Sequence, residues 1–394
     1  MKRSVFLCGA VFCLLAAGIP VSGYGQDIYE FVLKWGSLGS GTGQFNFPTD
    51  MAVDAQGNVY VADTRNFRIQ KFDSLGNPLM AFGYYLNFPH GVTVDSNGNI
   101  YASVFYSSDN GEIKKFGPDG QLVLSWRTPG QKEYGVSPSI MGLGIDQFDN
   151  IYVADAGCQR VFVYKPDGEL RDTIKGAFLR PYDVAVDSAG NVYVADIITT
   201  PWGVDGVYKI DPAGNSTFWP SIGPFGIFID SRDQIFITSQ SMTEVKVLDT
   251  DGNLLTSFGG PGYGDGEFRG LWGIAVSPDG FVYVSDHGLV EGDVFLPRIQ
   301  KFAKSISAMF ASLEGEIQTL IDDGKLDAPD GGHLLNFVTL AKNRHLDGHG
   351  QAACALLGAF INNVESLIKK GRLSAEDGGA LIAAAEALIE SMTT

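Results

Sequence analysis

A chain of 394 residues with a formal net charge of −17 at pH 7 has room for one large domain and a small one. That acidity, with no basic stripe to offset it, repels phosphate backbones and argues against nucleic acid as a partner. Four cysteines in the whole chain are too few for a disulfide scaffold.

The amino terminus reads as an export signal. Lys2 and Arg3 precede an apolar run from Val5 to Ile19, and Gly23-Tyr24-Gly25 offers small residues for cleavage. The run is short for a bilayer span, so residues 1–25 are expected to be a secretory signal rather than an anchor. No later segment is expected to cross a membrane, and the mature protein is expected to be secreted, periplasmic or extracellular. Neither Cys8 nor Cys13 follows a Leu-x-small triplet as a lipoprotein acceptor would. Cleavage removes two cations, taking the charge to −19, and leaves Cys158 and Cys354 in different regions, their pairing open.

The stretch Phe45–Phe72, FNFPTDMAVDAQGNVYVADTRNFRIQKF, is the unit of the next part. It runs from a Pro-led first strand through the turn Asp54-Ala-Gln-Gly-Asn58 to a second strand, Val59-Tyr-Val-Ala. A polar corner, Asp63-Thr-Arg-Asn, leads to a third strand, Arg68–Phe72. Copies are anchored at Asp54, Asp95, Asp146, Asp187, Asp230 and Ser277. A period of roughly 40–50 residues with several short strands signals a propeller. Fourth strands follow in Pro78–Gly83, Leu122–Trp126 and Leu254–Gly259, but the sixth copy stops at Ile299–Phe302. The orphan strand pattern at 28–36 supplies what is missing there. It joins the ends of the ring and leaves no open edge. The prediction is an all-β six-bladed propeller over 27–303, its N-terminal strand closing the last blade.

The turn residues have a plain structural reading. Asp-x-x-Gly-Asn places a side-chain acceptor at the turn start and residues tolerant of left-handed backbone at its end. Asp249-Thr-Asp-Gly-Asn253 looks superficially like a calcium loop, but its twelfth position is Gly260, where a bidentate Glu is needed. The Gly-rich links 36–43 and 259–266 do not join a strand to a helix as a phosphate loop must. Arg68, Lys71, Lys115 and Lys301 recur on third strands and are expected to be blade-edge charges.

These motifs, Phe47-Pro48, Met51-Ala-Val-Asp54, Gly57-Asn-Val-Tyr-Val-Ala-Asp63, Asn66 and Arg68-Ile-Gln-Lys-Phe72, resemble the NHL family of propeller repeats, most clearly echoed in RPYDVAVDSAGNVYVAD at 180–196. After Phe302 the chain turns Ala/Leu-rich, with Phe310, Leu313, Ile317, Leu320 and Ile321 at helical spacing. Ile317–Leu334 is echoed 47 residues later by Val364–Leu381. Two helical hairpins, with Gly324 and Gly371 as C-caps and new helices opening around Asp330 and Asp377, predict a small all-α four-helix domain over 305–394. It resembles the FIMAH module of bacterial extracellular proteins, which implies an accessory or interaction role.

Antiparallel strand order puts the start of each first strand and each second-to-third loop on one face, and the tight turns on the other. Long loops at Phe105–Gly111, Ile197–Gly206 and His287–Pro297 carry Phe105, Tyr106, Trp202, Leu289 and Phe295 to that face, where a rigid scaffold commonly builds its binding surface. Five residues before each repeat anchor stand Thr49, His90, Met141, Tyr182, Phe225 and Trp272, expected to ring the mouth of the channel. Three are aromatic, against 12% aromatic in the chain. Asp50 and Asp183 follow in blades one and four, across the axis, and His287 shares the face. Such a ring suits a ligand with apolar faces and hydroxyl or cationic groups. The competing reading is a plug of side chains, with the acids accepting backbone hydrogen bonds.

The zinc-carrying peptidyl-amidoglycolate lyases, relatives of NHL propellers, have metal-binding histidines resembling Phe88-Pro89-His90-Gly91. Only His90 matches here, and catalytic zinc needs about three protein ligands. Asp50, His90 and Asp183 are kept as candidate metal ligands, with no cofactor expected. His345-Leu-Asp-Gly-His349 reads as a turn between hairpins, and no G-x-S-x-G signature appears. The preferred function is a secreted binding protein that takes a protein, peptide or glycan on its loop face. The alternative is a propeller lyase or hydrolase working at the channel mouth.

Overall fold

In this computed structural model the described residues are 29–393, apart from 85, 105–110, 131–134, 136, 198–203, 221–222, 240–242, 288–295 and 347. Residues 1–25, expected to be a secretory signal, and Trp202, Phe295, Phe105, Tyr106 and Leu289 all lie outside them.

Twenty-four strands form six four-stranded antiparallel sheets. Five blades are built from four consecutive strands each. The sixth orders β1 (Tyr29–Trp35) against β24 (Arg298–Lys304), β23 (Val282–Asp286) and β22 (Leu271–Val276). Tyr29 pairs with Lys304 and Trp35 with Ile299, so the ring is sealed by its own amino-terminal strand.

The turn chemistry acts as the sequence predicts. The Asp54 carboxylate accepts the Asn58 N–H at 2.8 Å and the Tyr60 hydroxyl at 3.1 Å, tying the hairpin to the second strand. Asp95 and Asp187 hold Tyr101 and Tyr193 in the same way. Blades three and five put Asp149 and Asp233 at left-handed φ of 62° and 59°, where glycine stands in blade one. Each of these two carboxylates accepts the N–H and hydroxyl of a serine, Ser96 or Ser188, in the preceding blade's turn, an offset to the backbone strain.

Neighbouring blades also interlock at their outer edges. Rings at the ends of fourth strands lie flat on glycines of the next hairpin. A Cβ at Gly76 would come within 2.7 Å of Trp35, and at Gly252 within 2.7 Å of Trp219. At the seam no such hairpin exists, because the chain enters and leaves there, and Tyr29 stacks on Phe258 at 4.6 Å instead. The third-strand cations depart from the expectation of edge charges. Arg68 is buried and donates to Asp63 at 2.9 Å, Lys71 and Lys115 face the turn acids Asp54 and Asp95, and Lys301 is only 4% exposed. Arg68, Lys71 and Lys115 are partners for buried carboxylates, while Lys301 donates to the Ser74 carbonyl at 3.1 Å and lies 3.6 Å over the Phe281 ring.

Four helices follow: α1 (Ile306–Asp322), α2 (Ala328–Leu346), α3 (Gly350–Lys369) and α4 (Ala375–Thr393). Their core joins Phe310, Leu313, Ile317, Val338, Leu357, Phe360 and Leu388. Gly324 and Gly371 take φ of 70° and 68° at the C-caps, while Asp327 and Ser374 cap the next helices by accepting the N–H groups of Asp330 and Asp377. The duplication is expressed as reciprocity: Lys325 pairs with Asp377, and its counterpart Arg372 pairs with Asp330. Helix α3 is long and apolar enough by length and composition to span a membrane, but Ala353, Leu357, Phe360 and Val364 are spent on the helical core. Cys158 is buried in blade three and Cys354 half-buried in α3.

Candidate functional site

The first strands of the blades line the central channel. Four of the six begin at a proline that sets the start of the strand: Pro48, Pro89, Pro181 and Pro224. The next residue in each blade reaches the mouth. Thr49, His90, Tyr182, Phe225 and Trp272 converge there, with Asp50 and Asp183 just below. In blade three the lining comes from Gly142 rather than from Met141, whose carbonyl accepts the Ser103 hydroxyl at 2.6 Å.

The rings fill the opening. Tyr182 meets Phe225 at 5.3 Å and Trp272 at 5.7 Å between centroids, Phe225 meets Trp272 at 5.3 Å, and His90 meets Trp272 at 5.6 Å. His90 Nε2 lies 3.1 Å from the Tyr182 hydroxyl. The free space among these side chains is about 10 Å³, at the threshold for a single water. Beyond Trp272, His287 stacks on Phe47 at 4.5 Å, and the Arg65 guanidinium lies 4.4 Å over the other partner, the Phe47 ring. Burial pushes both His90 and His287 down to about 4, so each imidazole is neutral. Among the described residues His90 Nδ1, Trp272 Nε1 and both His287 ring nitrogens are buried without a hydrogen-bond partner.

Below this neck, the position after each ring residue reads Asp50, Gly91, Gly142, Asp183, Gly226, Gly273 around the circle. The glycines let adjacent first strands touch: a Cβ at Gly91 would lie 2.6 Å from the Met141 carbonyl oxygen, and at Gly226 2.6 Å from that of Trp272. In blades two, five and six a hydroxyl on the second strand links the glycine N–H to the next blade. Ser103, Thr238 and Ser285 each accept from that N–H and donate to the carbonyl of Met141, Trp272 or Thr49. Blades one and four carry Ala62 and Ala195 at this second-strand position, and there the acids bridge. Asp50 accepts the Val92 N–H at 2.9 Å, and Asp183 the Ile227 N–H at 2.8 Å. Burial raises the Asp50 carboxyl to about 7. It raises Asp183 well above the usual carboxylate range, and the Asp50 charge adds to the effect.

Among the described residues no group of three or more His, Cys, Asp or Glu is arranged to hold a metal ion. His90 turns Nε2 to Tyr182, while Asp50 and Asp183 face backbone N–H groups, so this trio does not present the donor set sketched from sequence.

A second feature of the loop face lies beside the neck and was not singled out from the sequence. Phe67, Tyr84 and Phe88 are 38%, 60% and 45% exposed. Phe67 and Phe88 meet edge to face at 5.0 Å, and both sit at left-handed φ, 58° and 45°. The chain signal was available: Phe88 precedes Pro89, and Phe67 directly follows the corner Thr64–Asn66.

Repeat, ring and helical tail define an NHL-type six-bladed β-propeller carrying a FIMAH-type helical domain. Residues 45–72 match the NHL repeat family model, and residues 310–390 match that of the FIMAH domain. The chain is similar to Protein brain tumor of Drosophila melanogaster, 25% identical over 173 residues, and to E3 ubiquitin-protein ligase TRIM32 of Homo sapiens, 28% identical over 180. Those matches take in 40% and 41% of this chain but only 15% and 26% of the relatives' own lengths. Among solved structures, a luciferin-regenerating enzyme aligns with a TM-score of 0.51 at 12% identity, over 69% of this chain and 95% of that one, a likeness of fold alone.

Proposed function

We propose that this is a secreted binding protein whose loop-bearing propeller face contacts a protein, peptide or glycan. The observation that carries the reading is the exposed ring pair of Phe67 and Phe88, both held at costly left-handed backbone, with exposed Tyr84 four residues before Phe88. Left-handed backbone at a bulky residue costs about 1–3 kcal/mol and collects at binding sites. Exposed aromatic rings on a rigid scaffold give contact area at low entropy cost. Trp202 and Phe295, which lie outside the described residues, are expected from strand order to extend the proposed surface. The alternative, a lyase or hydrolase using His90 with Asp50 and Asp183, has about 10 Å³ at the mouth to work in, which weighs against it.

The test is capture of the purified protein on peptide and glycan arrays, followed by variants on any hit. Tyr84→Ala, Phe88→Ala, Trp202→Ala and Phe295→Ala are expected to weaken capture tenfold or more, on the order of one aromatic contact each, with His90→Ala unchanged. Capture that survives all four, or turnover that disappears with His90→Ala, would move the function to the channel.

A further inference from the structure

Beneath the aromatic neck the channel widens into a cavity of about 170 Å³, the volume of some five or six waters at ~30 Å³ each. Most side chains along it are apolar, including Val92, Ala185 and Ile227, although polar and apolar surface line it about equally, and half-exposed Val94, Ile145 and Val186 lie at its turn-face end. Asp50 and Asp183 enter the opposite, plugged end from opposing blades, 9% and 7% exposed. Among the described residues no lysine or arginine lines either the cavity or the neck.

Buried charge is normally met by opposite charge. That holds in blades one and six, where Asp63 faces Arg68 at 2.9 Å and Asp286 faces Arg298 at 3.1 Å, whereas Asp155 and Asp196 in blades three and four are met by backbone N–H groups of their own blades. The inter-blade bridge does not call for a charge either, since the neutral hydroxyls of Ser103, Thr238 and Ser285 make it in three other blades. The two carboxyls, kept largely protonated by burial, therefore stand at the cavity as acids that no cation of its lining meets. We propose that the bore is a binding site for a small primary ammonium ion on a short alkyl chain, entered from the turn face, with the ammonium group between Asp50 and Asp183 and the chain along the apolar sleeve. An ammonium has three donors, and each carboxylate oxygen bonded to one N–H keeps a second lone pair. The volume suits a chain of a few carbons and excludes larger ligands. The nearest other titratable groups are His90, held neutral, and the Tyr182 phenol, which burial pushes up. Burial keeps protons on the acids that a bound cation would expel, so binding is coupled to proton release.

The probe is n-butylammonium, titrated calorimetrically into the full-length protein at pH 8, with 1-butanol as its uncharged analogue and potassium and calcium chloride as ion controls. Saturable binding is expected for n-butylammonium alone, with a heat that varies with the buffer's ionisation enthalpy. Affinity should fall by about tenfold or more at pH 5.5, where the acids retain their protons. Asp183→Asn should weaken binding about tenfold or more, as expected for a lost charge-assisted bond. Val186→Trp, at the half-exposed turn-face end of the bore, narrows the entrance without replacing either acid and should abolish binding, which keeps the test intact if the Asn variant does not fold. The proposal is overturned by no saturable heat, by equal binding of 1-butanol, by saturation with either metal ion instead, or by unchanged affinity in Val186→Trp. The site lies on the other side of the neck from the loop surface, so its failure leaves the loop-face reading standing.

Discussion

His90 Nε2 and the Tyr182 hydroxyl meet at 3.1 Å, joining blade two to blade four over the top of the channel. Neighbouring blades are clasped by many backbone contacts, but this bond links blades that are not adjacent. Removing the hydroxyl in Tyr182→Phe leaves His90 with both ring nitrogens buried and unpaired. The expected loss is about 1–3 kcal/mol of stability, read as a lower denaturant midpoint with an unchanged slope.

The two neutral histidines make the fold acid-sensitive. His287 and His90 are held at about 4 in the folded protein, against 6.5 ordinarily. Between those values the unfolded chain binds protons that the folded one refuses, so their contribution is complete above pH 6.5 and is lost as pH falls toward 4, by up to about 3 kcal/mol per group. His287→Phe, which preserves a ring against Phe47, should flatten the stability profile over that interval. Equal slopes in variant and wild type would contradict the assignment.

Asp50 works in the opposite sense. Its folded carboxyl, at about 7 against an ordinary 3.8, binds a proton that the unfolded chain has released. Its contribution is present below pH 3.8 and fades as pH rises through 7. Asp50→Asn removes that term, so urea unfolding should show the variant gaining on wild type as pH is raised from 4 to 7.

Trp35 tests the closure of the ring. It lies on Gly76 of blade one and against Phe72 and Tyr283, 5.8 and 6.1 Å away between ring centroids. Trp35 is half-buried, so Trp35→Ala should cost about 2–3 kcal/mol, below the figure for a fully buried aromatic, and should also promote self-association by loosening the strand that covers the sheet edge. Chemical unfolding and size-exclusion chromatography report the two effects.

Phe88 sets stability against recognition. At φ 45° glycine is easier than phenylalanine, and the ring is 45% exposed, so Phe88→Gly should leave the thermal midpoint unchanged or raised, strain relief being worth about 1 kcal/mol. Ligand capture on the loop face should fall in the same protein. A lower midpoint would mean that the ring is there for packing.

Much of this architecture could be read from the chain. Asp54, Asp95 and Asp187 announce their hairpins because turn geometry is decided within five residues, and the strand at Tyr29–Trp35 fits the one blade that lacks a fourth. The candidate site was only half legible. Thr49, His90, Tyr182, Phe225 and Trp272 were counted to the channel mouth correctly, since strand phase fixes where a side chain points. That their rings would close it depends on the ring's diameter, which no single repeat specifies. The exchange between Asp50 with Ala62 and Gly91 with Ser103 was likewise written in the sequence, but its meaning is a bridge between blades. Arg68 and Lys301 were misread as edge charges because alternation along one strand does not reveal what the next blade lays over it.

The sequence by itself settled the six sheets, the seal at the amino-terminal strand, the duplicated helical tail and which loops share a face, because turns, caps and strand alternation are local properties that repeat in phase. Tertiary structure alone decided that the aromatic ring is a stopper, that Asp50 and Asp183 face an apolar bore without a cation, and that Phe67, Tyr84 and Phe88 are displayed together. Those depend on distances between blades far apart in the chain, set by how six sheets pack around a common axis.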